Sequence, residues 1–164
     1  MDANPSHFLE RIKKLDGMAK SANPSDRMSN VTRISISIEE DIIEKFDILS
    51  ESHGFPTRSE AIKHLIKSAL VQEEWKSGDV VAGVITIIYD HHRSALLQKI
   101  VDAQHDCGDI VVCSQHAHLD HNNCMENIIV KGVVDAVRKL HRNLSAIKGI
   151  KHSVLSMTTT GRDI

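Results

Sequence analysis

The chain has 164 residues, 41% of them apolar and 26% charged, and a formal net charge of -2. That length allows one substantial domain or two small ones, and the near-balanced charge excludes a global attraction to nucleic acid, so any DNA contact must come from a local surface. No apolar run reaches the roughly 18 to 20 residues needed to span a bilayer, no signal-peptide pattern appears, and the three cysteines lack framework spacing, all of which points to a reducing cytoplasm.

Residues 1–30 read as an N-terminal extension, with Pro5, Gly17, Pro24 and scattered charges around one short amphipathic stretch at residues 8–15. The segment is either a real arm or the product of a start codon assigned ahead of Met28. Residues 33–38 then alternate strictly, Arg33, Ser35 and Ser37 on one face and Ile34, Ile36 and Ile38 on the other, which predicts a half-buried strand. A helix follows over 39–52, with acids in its first turn and Ile42, Ile43, Phe46 and Leu49 along one side, and Gly54 stops it. Thr57 and Glu60 form a capping box opening a second helix, whose stripe is Ala61, Ile62, Leu65, Ile66, Ala69 and Leu70.

This strand, helix, helix unit, residues 31–74, has a single strand and cannot satisfy that strand's backbone alone. Pairing with the same strand of a second chain gives a two-stranded antiparallel ribbon, narrow enough for the DNA major groove, with Arg33, Ser35 and Ser37 outward as base readers. The N-terminus of the Thr57 helix offers amides to a phosphate. The competing reading is an ordinary edge strand with its polar side in water.

Residues 75–79 read as a linker, with Trp75 packed at a domain junction. Residues 80–89 are a nearly unbroken apolar run, a central strand. A helix over 92–104 turns Leu96, Leu97, Ile100 and Val101 inward, strands over 110–118 and 124–131 form a hairpin, a helix over 133–147 carries Val133, Val134, Val137, Leu140 and Leu144, and a strand over 150–157 closes the set. The order βαββαβ over 80–158 is the ferredoxin-like plan, so the chain is α+β, with a short tail at 159–164.

Chemistry concentrates in the hairpin. His116 and His118, two apart on a strand, point to the same side, and the turn-rich run 119–123 brings Cys124 back toward them. His105 stands at the foot of the preceding helix. Three imidazoles and a thiol suit zinc, copper or nickel, not the hard cations that prefer oxygen, and ligand count alone does not choose among those metals. Cys113 falls on the strand face opposite His116 and reads as core, while Cys107 and His121 are candidates for an outer layer around a metal. Against this stands the plain alternative of two surface or core histidines.

The run His116-Ala117-His118-Leu119-Asp120-His121-Asn122-Asn123-Cys124, with Gln104-His105, Arg58-Ser59-Glu60-Ala61-Ile62 and Val130-Lys131-Gly132, resembles the nickel-responsive transcriptional regulator family over residues 31–157. That resemblance implies a ribbon-helix-helix DNA-binding domain followed by a regulatory domain of the ACT type. It implies one nickel(II) per subunit in a square plane of His116, His118 and Cys124 with His105 of another subunit. It also implies a homotetramer, a dimer of dimers, that binds double-stranded operator DNA when nickel is bound and acts as a repressor. The family has a second cation site built on two carboxylates; Glu60 matches one and His64 stands at the other. The loop 90–94 matches a region touching DNA backbone, with Ser94 in place of a basic residue. An enzyme is not expected, since no nucleophile or general-base arrangement accompanies the ligands. The alternative is an ACT-type regulator responding to another metal or to a small molecule such as an amino acid.

Overall fold

A computed structural model describes residues 31–78 and 80–162; the extension expected at 1–30, the last residue of the expected linker and the final two residues of the tail lie outside them. The chain forms two compact units, Met1–Ala69 and Leu70–Ile164.

In the first unit, residues 31–39 form no strand, and Arg33, Ser35 and Ser37 are exposed. So are Ile34, Ile36 and Ile38, at 67%, 58% and 41%. The expected half-buried strand is therefore corrected for the single chain: a ladder needs a partner, and the described residues supply none. Helix α1, Glu40–Ser52, opens with Glu40 and Asp41 where backbone amides favour negative charge. Gly54, at φ 72°, ends it. The second helix, α2, is Arg58–Ser77. Thr57 Oγ1 accepts the Glu60 N–H at 3.2 Å, one half of the expected capping box, while the Glu60 carboxylate turns to Lys63 at 2.7 Å. Arg58 clasps Asp47 through both carboxylate oxygens, at 2.7 and 2.5 Å, tying the two helices and lowering the Asp47 pKa, chiefly through that hydrogen bond. His64 tilts against the Phe55 ring, centroids 5.1 Å apart.

The linker expected at 75–79 is also corrected. Residues 75–77 continue α2, and Trp75 is 1% exposed in the core of the second unit. Its indole N–H donates to the Thr158 carbonyl at 2.8 Å, and Arg138 donates to the Trp75 carbonyl at 3.0 Å. The physical reason is area: a large ring gains more from burial than a Ser-Gly pair gains from flexibility. Gly83 makes room, since a Cβ there would meet the Ser156 carbonyl oxygen at 2.9 Å and the indole at 3.3 Å.

The second unit continues with β1 (Val80–Tyr89), α3 (Ser94–His105), a 3-10 turn (Gly108–Ile110), β2 (Val111–Asp120), β3 (Asn123–Val133), α4 (Val134–Ala146) and β4 (Ile150–Thr158). The strands lie in the order β2-β3-β1-β4, all antiparallel. The expected βαββαβ order is present, its ends moved by one to a few residues. Val81, Ile85, Ile87 and Tyr89 alternate onto the face that α3 and α4 cover with Leu96, Ile100, Val137, Leu140 and Leu144. Cys113, expected in the core, is exposed. It pairs with Ile129, which is also exposed, on the other face of the sheet, where alternation sets the direction of a side chain but does not provide cover. Among the described residues, no helix is long and apolar enough to cross a membrane.

Candidate metal centre

The hairpin of β2 and β3 pairs His118 with Cys124 and His116 with Glu126, so all four side chains share the helix-covered face. Between them the register slips by one residue at Leu119, and the chain turns at His121 and Asn122. Asp120 stabilises that turn by accepting the Asn122 N–H at 2.8 Å and the Asn123 side-chain amide at 2.6 Å. Asn123 is the chief cause of its lowered pKa.

Cys124 is fully buried, and its Sγ lies 3.1 Å from His118 Nδ1 and 3.0 Å from His91 Nδ1. The ligand atoms of His91, His118 and Cys124 all fall within 4.8 Å of one another. Burial pushes the thiol pKa up, with Asp120 and Asp90 adding to it. Desolvation first, and then the neighbouring His92 and His118, lower that of His91. A thiol held protonated beside an imidazole held neutral is a donor set that a metal would fit, displacing the thiol proton and taking imidazole lone pairs. A soft set of this kind fits nickel, copper or zinc.

His116 adjoins the group, its ring centroid 4.9 Å from that of His118. Its Nδ1 lies 3.1 Å from the Tyr89 hydroxyl. Tyr89 donates its proton to Glu126 Oε2 at 2.8 Å, and Gln104 donates to Glu126 Oε1 at 3.0 Å. Desolvation, helped by Glu126, raises the Tyr89 pKa far above its ordinary value, so the hydroxyl holds its proton at any physiological pH. A hydroxyl has one proton, and this one is given to Glu126; the contact with His116 is therefore a bond from its Nδ1–H to the phenol oxygen. That assigns the tautomer and leaves the Nε2 lone pair available for a metal.

His105, the fourth ligand expected, ends α3 and is exposed. It lines a cleft of about 510 Å³ with Gln104, Asp109, Ser114 and Glu126, and it is not among the side chains gathered around Cys124. His121 offers its carbonyl oxygen to His92 Nε2 at 2.8 Å, and Cys107 packs at the edge of the core. Sequence reasoning missed His91. The available signal is that His91-His92 directly follows a central strand: Tyr89 pairs with Cys124 in the register, so the residues just past Tyr89 fall beside the thiol.

Two family models match the chain: a ribbon-helix-helix protein of the copG family over residues 32–73, and the NikR C-terminal nickel-binding domain over residues 82–158. A protein of Nitratidesulfovibrio vulgaris named as a nickel-responsive regulator is 45% identical over 138 residues, covering 84% of this chain and 99% of the relative. Relatives with the same name from Syntrophus aciditrophicus and Pyrococcus furiosus are 43% and 44% identical over 135 residues, each covering 82% of this chain and 98% of their own. With a ribbon-helix-helix segment ahead of a nickel-binding domain whose helix-covered face gathers imidazoles around a buried thiol, the chain belongs to the nickel-responsive regulator family.

Proposed function

We propose that the protein is a nickel-dependent transcriptional repressor working as a homotetramer, a dimer of dimers. His116, His118 and Cys124 of one subunit and His105 of a neighbouring subunit would hold one nickel(II) per subunit, and Arg33, Ser35 and Ser37 would face the bases of operator DNA. The observation that carries this reading is the Cys124–His118 contact at 3.1 Å with His116 held by Tyr89 beside it, while His105 takes no part in the same chain's cluster. A ligand set divided in this way would take its fourth member from a neighbouring subunit, with His91 beside the thiol as the donor within the same chain that the test below has to set against it.

Nickel would supply a bond between two subunits. The rest is done by the chain's own residues. Tyr89 and Glu126 orient His116; the hairpin register brings Cys124 to His118; residues 31–39, exposed in one chain, find their ladder in a second, which sets two arginines and four serines on one ribbon. Operator binding needs two such ribbons at a fixed separation. Whatever favours one arrangement of the tetramer therefore favours DNA, and DNA favours metal by the same factor.

The test is a duplex selected from random sequence by the nickel-loaded protein, then titrated with and without nickel. Nickel should raise affinity for that duplex. His105→Ala should abolish most of the gain in a protein that stays folded and tetrameric, while Cys124→Ala should remove both tight nickel binding and the thiolate-to-nickel absorption. A His105→Ala protein with the full nickel-induced gain would sink the bridge between subunits.

A further inference from the structure

The turn that delivers Cys124 is held from outside the hairpin, and the site as described does not use the groups that hold it. Lys151, at the start of β4, donates to the Asn122 carbonyl at 3.2 Å and to Asn123 Oδ1 at 2.6 Å. The Asn123 amide is thereby stretched between two elements, its nitrogen giving to Asp120 and its oxygen accepting from Lys151. β4 neighbours β1, not β2 or β3, so the lysine reaches past the end of β1 to make these contacts.

It does so because of a bulge. Ile88 pairs with His152 and Tyr89 with Ile150, which leaves Lys151 as the extra residue of β4, opposite no partner. An extra residue of that kind bends its strand and re-aims its side chain. A second slip, at Leu119, lies at the same end of the sheet in β2. β2 is an edge strand with little burial, and Leu119 is 54% exposed, so packing does not fix where the β2 side of this end of the hairpin and its turn lie, although Cys124 on β3 is buried. Among the described residues, Lys151 and His92 are the side chains from outside the hairpin seen to bond the turn.

We propose that Lys151 is a positioning residue for the metal centre: aimed by its bulge, its ammonium pins Asn122 and Asn123 and so sets the residue that follows, Cys124, against His118. This rests on the nickel reading above for its consequence, though not for its geometry. Lys151 is itself exposed, so removing its charge opens no cavity and leaves the core alone.

The experiment uses the full chain, nickel(II) as the probe, and Lys151→Met, which keeps length and loses every donor. Nickel affinity by chelator competition should fall about ten- to a hundredfold, the range found when groups supporting a metal ligand are removed. Lys151→Arg, which still reaches two acceptors, should recover most of it. A readout without metal separates positioning from general damage: in the metal-free protein, amide hydrogen exchange at Asn123 and Cys124 should speed up in Lys151→Met while Val130, far along β3, stays protected. Wild-type affinity together with wild-type exchange in Lys151→Met overturns the proposal. Should the wild type take up no nickel, the functional reading fails, and the exchange pattern still decides the clasp. Asn123→Ala removes that side-chain acceptor and leaves the charge; unchanged exchange at Cys124 in that variant also overturns the proposal, whether or not Lys151→Met folds.

Discussion

Tyr89→Phe isolates one hydroxyl and leaves the ring that fills the core. That hydroxyl donates to Glu126 at 2.8 Å and accepts from His116 at 3.1 Å, in a place where Tyr89 is 1% and Glu126 8% exposed. Water cannot replace it freely, so Glu126 loses one of its two donors at nearly the full penalty. A hydrogen bond to a carboxylate is worth about 1.5 to 3 kcal/mol, and Gln104 remains on the other oxygen, so the metal-free second unit should lose about 2 kcal/mol of stability in urea. Nickel affinity should fall separately. Without the phenol oxygen, the His116 Nδ1–H has no fixed acceptor and the ring no fixed tautomer, a loss of about ten- to a hundredfold, or about 1.4 to 2.7 kcal/mol. Denaturation followed by circular dichroism reads the first quantity and chelator competition the second. A variant that loses stability but binds nickel as tightly as the wild type would refute the claim that Tyr89 orients His116.

Burial holds the Cys124 thiol above its ordinary pKa, so nickel bound as proposed would have to displace its proton at neutral pH; affinity should rise about tenfold per pH unit there and fall as pH drops. Competition titrations between about pH 6 and 8 check this, and a flat profile would mean the thiolate is not a ligand. Arg33→Ala should cost about 1 to 3 kcal/mol per lost bidentate contact on the selected duplex and leave nickel binding intact. Equal loss on random DNA would reduce that arginine to a phosphate contact. Leu140 is fully buried between α4 and the sheet, so Leu140→Ala should destabilise the second unit by about 2 to 5 kcal/mol in urea, and a loss below about 1 kcal/mol would contradict its packing.

The order of elements after residue 80 could be read from periodicity because the sheet is covered on one side, and one-sided burial imprints a period of two on β1 and close to four on α3 and α4. The same logic found His116, His118 and Cys124 as neighbours across one hairpin. It failed where contact depends on what lies across the sheet. His91 meets Cys124, 33 residues away, because the β1–β3 register sets Tyr89 beside Cys124, and that leaves no trace in local spacing. Cys113 shows the complementary error, since alternation gives direction without saying whether anything stands on that side. Ser77 and Gly78 make 75–79 read as a linker, but the helix runs on to Ser77 and carries Trp75 to the space left by Gly83. Residues 33–38 alternate as a half-buried strand would and, among the described residues, have nothing to pair with.

Trp75 is the chain's one tryptophan. Because its indole lies over Gly83 with its nitrogen bound to Thr158, ultraviolet emission from this protein comes from a ring shielded from water and belonging to the Leu70–Ile164 unit. Emission shifted to the red therefore records the opening of that unit and is blind to the loss of α1. A denaturation curve followed by fluorescence and one followed by helix content should separate wherever the two units melt apart, which makes the distance between the curves a direct gauge of how strongly one half of the chain senses the other.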